Sequence, residues 1–154
     1  MNYATEIETI IGKLALISDD EALIKISFGG LELMNEKLSN EKNAILTQAE
    51  TELQQYFSKR RKKFTVPIKI TGSAFQTSCY NALLEIPYGE VRSYRDIAEH
   101  IGNIKACRAV GMANNKNPLP IIIPCHRVIG INGSMTGYAG GIDAKKTLLI
   151  LEKE

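Results

Sequence analysis

Short apolar or alternating runs dominate the start of the chain: residues 7–11, then Leu14-Ala15-Leu16-Ile17, then Leu23-Ile24-Lys25-Ile26-Ser27-Phe28. Gly12-Lys13, Ser18-Asp19-Asp20 and Gly29-Gly30 punctuate them as turns, which predicts a small antiparallel sheet. Over residues 43–57 the period becomes helical, with Ile45, Leu46, Ala49, Leu53 and Phe57 on one face. The run Lys59-Arg60-Arg61-Lys62-Lys63 follows, with Pro67 and Gly72 beyond it. This stretch reads as an exposed connector between a domain over residues 1–70 and one over residues 71–154. A solvated linker is the expectation, with phosphate contact as the alternative.

The second domain opens with a predicted helix over residues 73–84, where Phe75, Cys79, Leu83 and then Ile86 face a core, until Ile86-Pro87-Tyr88-Gly89 breaks it. Ser93 with Asp96 three residues on forms a capping-box pattern. Behind it, Tyr94, Ile97, Ala98 and Ile101 repeat on one helical face, and Gly102-Asn103 stops the helix. A second helix buries Ala106, Ala109, Val110 and Ala113, so the pair is a helix-turn-helix candidate. Its outer side, at about 100° per residue, carries Arg108, Gly111, Met112 and Asn115. So little bulk suits close approach to a groove, and equally suits packing on another helix.

Further on, Ile121-Ile122-Ile123 has a buried-strand pattern cut off by Pro124. Five of the twelve glycines fall within residues 130–141, which predicts a loop of unusual backbone angles lining a close-fitting pocket. Asp143 can cap a last helix through Leu148-Leu149-Ile150-Leu151. Glu152 shares the face of Leu148: buried there it needs a partner such as a histidine, and otherwise it is a frayed, exposed end. The expected fold is α+β, with an N-terminal antiparallel sheet plus helix and a mainly helical C-terminal domain.

Composition narrows the class. With 154 residues, 44% hydrophobic and 23% charged, the chain suits one or two small globular domains. No apolar run approaches the roughly 20 residues of a membrane span, and the N-terminus lacks a basic, then apolar, leader. A cytoplasmic protein without membrane attachment is expected. Three cysteines outside any Cys-x-x-Cys unit and two histidines at unsuitable spacing argue against a disulfide scaffold and against a metal site. The net charge of +2 is uneven. Residues 1–58 hold 4 basic and 10 acidic side chains, and residues 59–154 hold 15 basic and 7 acidic. A basic rear half suits a polyanionic partner, and a solvated charged surface accounts for it as well.

The candidate chemistry centres on Cys125-His126-Arg127-Val128. A cysteine at the abrupt end of an apolar run is held in place, as a nucleophile must be, and His126 and Arg127 can favour its thiolate. A lone cysteine is also commonly a small core residue.

The ordered motifs add what a lone Pro-Cys-His-Arg does not. They are Ile86-Pro87-Tyr88-Gly89-Glu90, Ser93-Tyr94, Arg108-Ala109-Val110-Gly111, Asn117-Pro118-Leu119-Pro120-Ile121-Ile122-Ile123-Pro124-Cys125-His126-Arg127-Val128-Ile129 and Gly137-Tyr138-Ala139-Gly140-Gly141, then Lys145 and Leu148-Leu149. In this order and at these separations the chain resembles the O6-alkylguanine-DNA alkyltransferase family, also called methylated-DNA–protein-cysteine methyltransferases, over nearly its whole length. The resemblance implies a single-turnover DNA-repair protein that moves an alkyl group from O6-alkylguanine onto Cys125, and it leaves open whether O4-alkylthymine is also a substrate. It implies that His126 takes the thiol proton through a water, that Glu152 orients His126, that Tyr94 donates toward guanine N3 and that Asn117 braces the site. It further implies that Val128, Tyr138, Ala139 and Gly140 hold the flipped base. The helix bearing Ala106, Arg108, Ala109, Gly111, Met112 and Asn115 would enter the minor groove of double-stranded DNA, with Arg108 filling the space the base vacates. No cofactor is implied, and a monomer is expected.

Some positions depart from the family pattern. Ile104 stands where many relatives have proline, Thr77-Ser78-Cys79-Tyr80 replaces a bulkier stretch, and the zinc ligands of some animal relatives are absent. The alternatives are a non-catalytic binder of damaged DNA, a helix-turn-helix regulator and a cysteine hydrolase. The first lacks an acceptor cysteine, which this chain has. The last needs an oxyanion hole that no motif announces.

Overall fold

A computed structural model of the chain describes residues 1–33, 37–135 and 137–153. Two units divide it, Met1–Ile70 and Thr71–Glu154.

In the first unit, β1 (Tyr3–Thr9), β2 (Gly12–Ser18) and β3 (Leu23–Phe28) form an antiparallel sheet in that order. Thr9 pairs with Gly12, so the first turn is Ile10-Ile11 rather than the expected Gly12-Lys13. The apolar pair reads as strand, but Ile10 is exposed. The Thr9 hydroxyl ties the turn by donating to Gly12 O at 2.9 Å and accepting from Ile11 N at 3.1 Å. Gly12 takes φ 102°, which costs a glycine little. Leu14, Ala15, Leu16 and Ile17 of β2 are all fully buried.

Helix α1 (Ala44–Phe57) begins at Asn43, whose side chain accepts from Leu46 N at 2.9 Å and donates to Asp19 O at 3.1 Å. One residue thus caps the helix and ties its start to the end of β2. Leu46, Ala49, Leu53 and Tyr56 are buried, and so is Glu52. Glu52 accepts from Thr65 N (2.8 Å), Thr65 Oγ1 (2.6 Å), Val66 N (3.1 Å) and Gln48 Nε2 (2.9 Å). Burial pushes its pKa up, but these hydrogen bonds outweigh burial and hold it below the ordinary value. The expected exposed connector is exposed at Lys59, Arg60, Lys62 and Lys63 but docked on the first unit from Thr65 onward. Glu52 latches Thr65 and Val66, and Leu23 exchanges backbone bonds with Pro67 and Lys69 along the sheet edge.

The second unit is mainly helical. Helix α2 (Ala74–Leu84) starts on a capping box of Ser73 and Gln76. After β4 (Arg92–Ser93), α3 (Tyr94–His100) starts on the expected box of Ser93 and Asp96. Gly102 at φ 85° turns the chain into α4 (Cys107–Asn115), which completes the helix-turn-helix. Val110 and Ala113 face inward, and Tyr80 of α2 donates to Ala113 O at 2.9 Å. Strand β5 (Val128–Ile129) pairs with β4 in parallel, and α5 (Ile142–Lys153) closes the unit. The α+β architecture matches the sequence expectation. Residues 121–123 do not: they are buried but form a tight turn, with Ile121 at φ 76°. Among the described residues no helix is long and apolar enough to cross a membrane.

Candidate active site

The turn after α4 is built on Asn117. Its amide donates to Ile123 O at 2.8 Å and its carbonyl accepts from Leu119 N at 3.0 Å, while Ile123 N donates to Leu119 O at 2.8 Å. These bonds hold residues 117–123 in a closed loop and satisfy backbone groups that a strand would have paired with a neighbour. Pro124 then leads into a single 3₁₀ turn, Cys125–Arg127. Cys125 is 4% exposed. Burial pushes its thiol up to about 11, against the opposing pull of the Asn117 amide and the charge of Lys145.

His126 is fully buried, and its Nε2 lies 2.7 Å from Glu152 Oε2. Burial lowers its pKa, although the bond to Glu152 opposes this. A neutral ring beside a carboxylate donates from Nε2, which leaves Nδ1 as the lone-pair nitrogen. That Nδ1 is buried and makes no hydrogen bond within the described residues.

Glu152 is also held by Arg127, through Nε to Oε1 at 2.8 Å and Nη2 to Oε2 at 3.0 Å. The remaining Arg127 nitrogen donates to Ile86 O at 2.8 Å, and the guanidinium lies 5.7 Å from the Tyr88 ring centroid. Thus Glu152, the last helical turn's acid, is buried and partnered. Sequence reasoning set Arg127 beside the thiol, whereas its charge is directed at Glu152. It also gave no role to Lys145, which is 1% exposed and whose charge acts on Cys125. Burial lowers the pKa of Lys145 and Cys125 raises it.

Tyr94 opens α3 in a half-buried position. Lys145 Nζ lies 5.8 Å from its ring centroid. A Cβ on Gly111 would lie 3.8 Å from the Tyr94 ring, and one on Gly137 would lie 3.9 Å from its hydroxyl and 3.6 Å from the Asn115 amide. The glycines therefore bring α3, α4 and the loop at Gly137 together around one tyrosine. Tyr138 is buried, and its hydroxyl is raised well above the ordinary pKa by burial first, then by Cys125 and Glu152. Val128 is fully buried at the start of β5; Ala139 is exposed and Gly140 half-buried.

On α4, Arg108, Met112 and Asn115 are exposed along one face, with Gly111 and Ala109 half-buried beside them. Ala106, at the start of α4, is buried at 8% exposed, as its place in the inward stripe predicts, and so does not lie on the exposed face with Arg108. Asn114 is buried, and its side-chain amide makes no hydrogen bond within the described residues. An open cleft of about 650 Å³ lined by Glu85, Arg92, Asp96 and His100 does not include Cys125. Among the described residues no three His, Cys, Asp or Glu side chains group as a metal site.

Two family models together span almost the whole chain. The ribonuclease-like domain of 6-O-methylguanine DNA methyltransferase matches residues 2–70, and its DNA binding domain matches residues 74–154. The chain belongs to the methylated-DNA–protein-cysteine methyltransferase family. A methyltransferase of that name from Methanosarcina acetivorans is 47% identical over 154 residues, covering 97% of each chain. The constitutive Bacillus subtilis methyltransferase is 41% identical, over 99% of this chain and 96% of its own. Among solved structures, Mycobacterium tuberculosis OGT in complex with DNA superposes at a TM-score of 0.91 with 40% identity, covering 98% of this chain and 92% of that one. Methyltransferase membership gives the buried Cys125 a chemical context that burial alone does not.

Proposed function

We propose that this chain repairs DNA by moving the alkyl group of O6-alkylguanine onto Cys125 in one irreversible displacement. The observation that carries this reading is the pairing of a buried thiol with an adjacent histidine whose protonation is fixed from behind. His126 donates a hydrogen bond from its Nε2–H to Glu152, keeping that proton, so Nδ1 remains the base that takes the Cys125 proton through a water molecule. The imidazolium formed is stabilised by Glu152. Lys145 supplies the positive charge beside the thiolate.

The sulfur attacks the alkyl carbon, the carbon–O6 bond breaks and its electron pair leaves on guanine. Tyr94 donates toward N3 as negative charge builds on the base. Asn117 keeps the thiol in register, and Val128 and the Tyr138-Ala139-Gly140 segment grip the base edges. A thioether has no route back to a thiol here, so each protein molecule reacts once. The target carbon is hidden inside a duplex, so the nucleotide rotates out of the stack. Helix α4 enters the minor groove on its Arg108, Met112 and Asn115 face, where the small Gly111 and Ala109 permit close approach. Arg108 fills the vacated space. The protein acts as a cytoplasmic monomer on double-stranded DNA.

Mass spectrometry after incubation with a duplex carrying O6-methylguanine tests this. One methyl mass on the Cys125 peptide, never more than one per protein, is expected, and Cys125→Ser removes it while duplex binding persists. An unmodified peptide at saturating DNA would make the chain a non-reactive damage binder, and product in excess of protein would make it a hydrolase.

A further inference from the structure

Residues 59–63 put five consecutive cations on the first unit, and the loop carrying them is fixed at both ends. At its start, Lys59 N donates to Tyr56 O and Arg60 N to Gln55 O, wrapping the C-terminus of α1. At its end, Phe64 packs on Tyr56 with 5.5 Å between ring centroids, and Glu52 holds Thr65 and Val66. Within the loop, Arg61 donates to Gln55 Oε1 and to Lys63 O, and Arg60 donates to Ser58 Oγ. All of these acceptors are neutral, so the contacts position the guanidinium groups without cancelling their charge. Lys59, Arg60, Lys62 and Lys63 are exposed.

The charge of this loop stands out against its surroundings. The rest of the first unit carries 5 basic and 10 acidic side chains. The C-terminus of α1 favours cations nearby, but that effect fades within one helical turn. Like charges close together on a surface repel one another, and a polyanion relieves that repulsion. The second unit, which holds α4, carries 9 basic and 7 acidic side chains; Arg127, Lys145 and Glu152 are buried, which leaves 7 basic and 6 acidic. Its own exposed surface therefore offers a modest positive excess to a phosphate backbone. Much of the positive charge of residues 59–154 that suggests a polyanionic partner sits on the first unit instead.

We propose that the 59–63 loop is a second, sequence-independent phosphate-binding surface that supplies a large share of the chain's salt-dependent affinity for duplex DNA. The proposal rests on the DNA-repair reading for the identity of the polyanion. The ordering cost of binding is small because the loop backbone is already fixed.

The test is the salt dependence of binding to a short unmodified duplex, compared between the full chain and its Lys62→Gln/Lys63→Gln variant. Each lost phosphate contact removes about 0.9 from the slope of log affinity against log salt, or roughly eight-fold in affinity at about 0.1 M salt. The double variant is expected to lose about two such increments while reacting normally with free O6-benzylguanine, which also shows that it is folded. Lys13→Gln/Lys42→Gln removes the same net charge from exposed lysines elsewhere on the unit and is expected to leave the slope near wild type. An unchanged slope in the loop variant, or an equal fall in the control, overturns the proposal. Failure of the wild-type protein to take the methyl group from an O6-methylguanine duplex would overturn the repair reading instead, and leaves the slope comparison standing.

Discussion

Arg127→Met removes one end of a buried ion pair, and the structure sets the size of the effect. Arg127 and Glu152 are 7% and 5% exposed, and two Arg127 nitrogens reach Glu152 at 2.8 and 3.0 Å. Without the guanidinium, the Glu152 carboxylate keeps His126 at 2.7 Å and the Gly89 N–H at 3.4 Å, and Ile86 O loses its donor. Stranding a buried charge in this way costs about 3–5 kcal/mol. Domain stabilities are about 5–15 kcal/mol, so the loss is a large fraction of the whole. At about 4–8 °C per kcal/mol for a unit of this size, the midpoint falls by roughly 12–40 °C. Arg127→Met/Glu152→Met removes both charges together and recovers a large part of that loss. It does not recover chemistry, because His126 no longer has the carboxylate that fixes its Nε2 proton. Thermal and urea unfolding by circular dichroism, set beside the rate of transfer from free O6-benzylguanine, separates the two effects. A single variant within about 1 kcal/mol of wild type, below the range for a broken buried pair, would refute the energetic argument. A double variant that is stable and fully active would refute the orienting role of Glu152.

Three further outcomes follow from the same geometry. Arg108→Ala should slow transfer from an O6-methylguanine duplex by about ten-fold or more, since unstacking a base costs a few kcal/mol, and leave transfer from free O6-benzylguanine near wild type; equal losses on both substrates would count against base flipping by this residue. Folding raises the Cys125 thiol from 9.0 to about 11, so its contribution to stability is complete below about pH 9 and is lost as pH rises toward 11. Serine does not titrate there, so wild type should lose about 3 kcal/mol more than Cys125→Ser across that window, and parallel stability curves would contradict the burial argument. Lys145→Met removes the charge that favours the thiolate, so the alkaline rise in transfer rate should move to higher pH; an unmoved profile would show that Lys145 does not act on the sulfur.

What was legible in the sequence is what local interactions decide. Ser93 and Asp96 cap α3 within one turn of the chain, and the small residues of α4 pack wherever that helix meets another, so both could be read from spacing. Residues 121–123 misled because their apolar run has the composition of a strand. The Asn117 side chain takes the backbone groups a strand would need, and a side-chain bond of that kind leaves no period to detect. The docked segment after residue 63 was hidden for a similar reason: Glu52, a charged residue on a helix, looks solvated until its acceptors are seen to receive Thr65 and Val66. Gly111 and Gly137 were visible as glycines, but their meaning lies in a distance to Tyr94 that only the fold supplies.

Arg127 and Lys145 make the same point for charge, because nothing in a sequence marks a cation that will be buried. Their burial also explains how a histidine next to a carboxylate can remain a base. A lone Glu152 would draw a proton onto His126 and hold it there as an imidazolium, with no lone pair to accept the thiol proton. Arg127 takes up that carboxylate charge through two hydrogen bonds, so burial prevails and the ring stays neutral. Two cations, Arg127 and Lys145, and one anion, Glu152, then surround a neutral thiol and a neutral imidazole. The Lys145 charge favours the thiolate over the thiol, so its effect on the sulfur grows as Cys125 loses its proton. On the proposed mechanism the site is complementary to the reactive form of the sulfur rather than its resting form, which is where differential stabilisation has to act to speed a reaction.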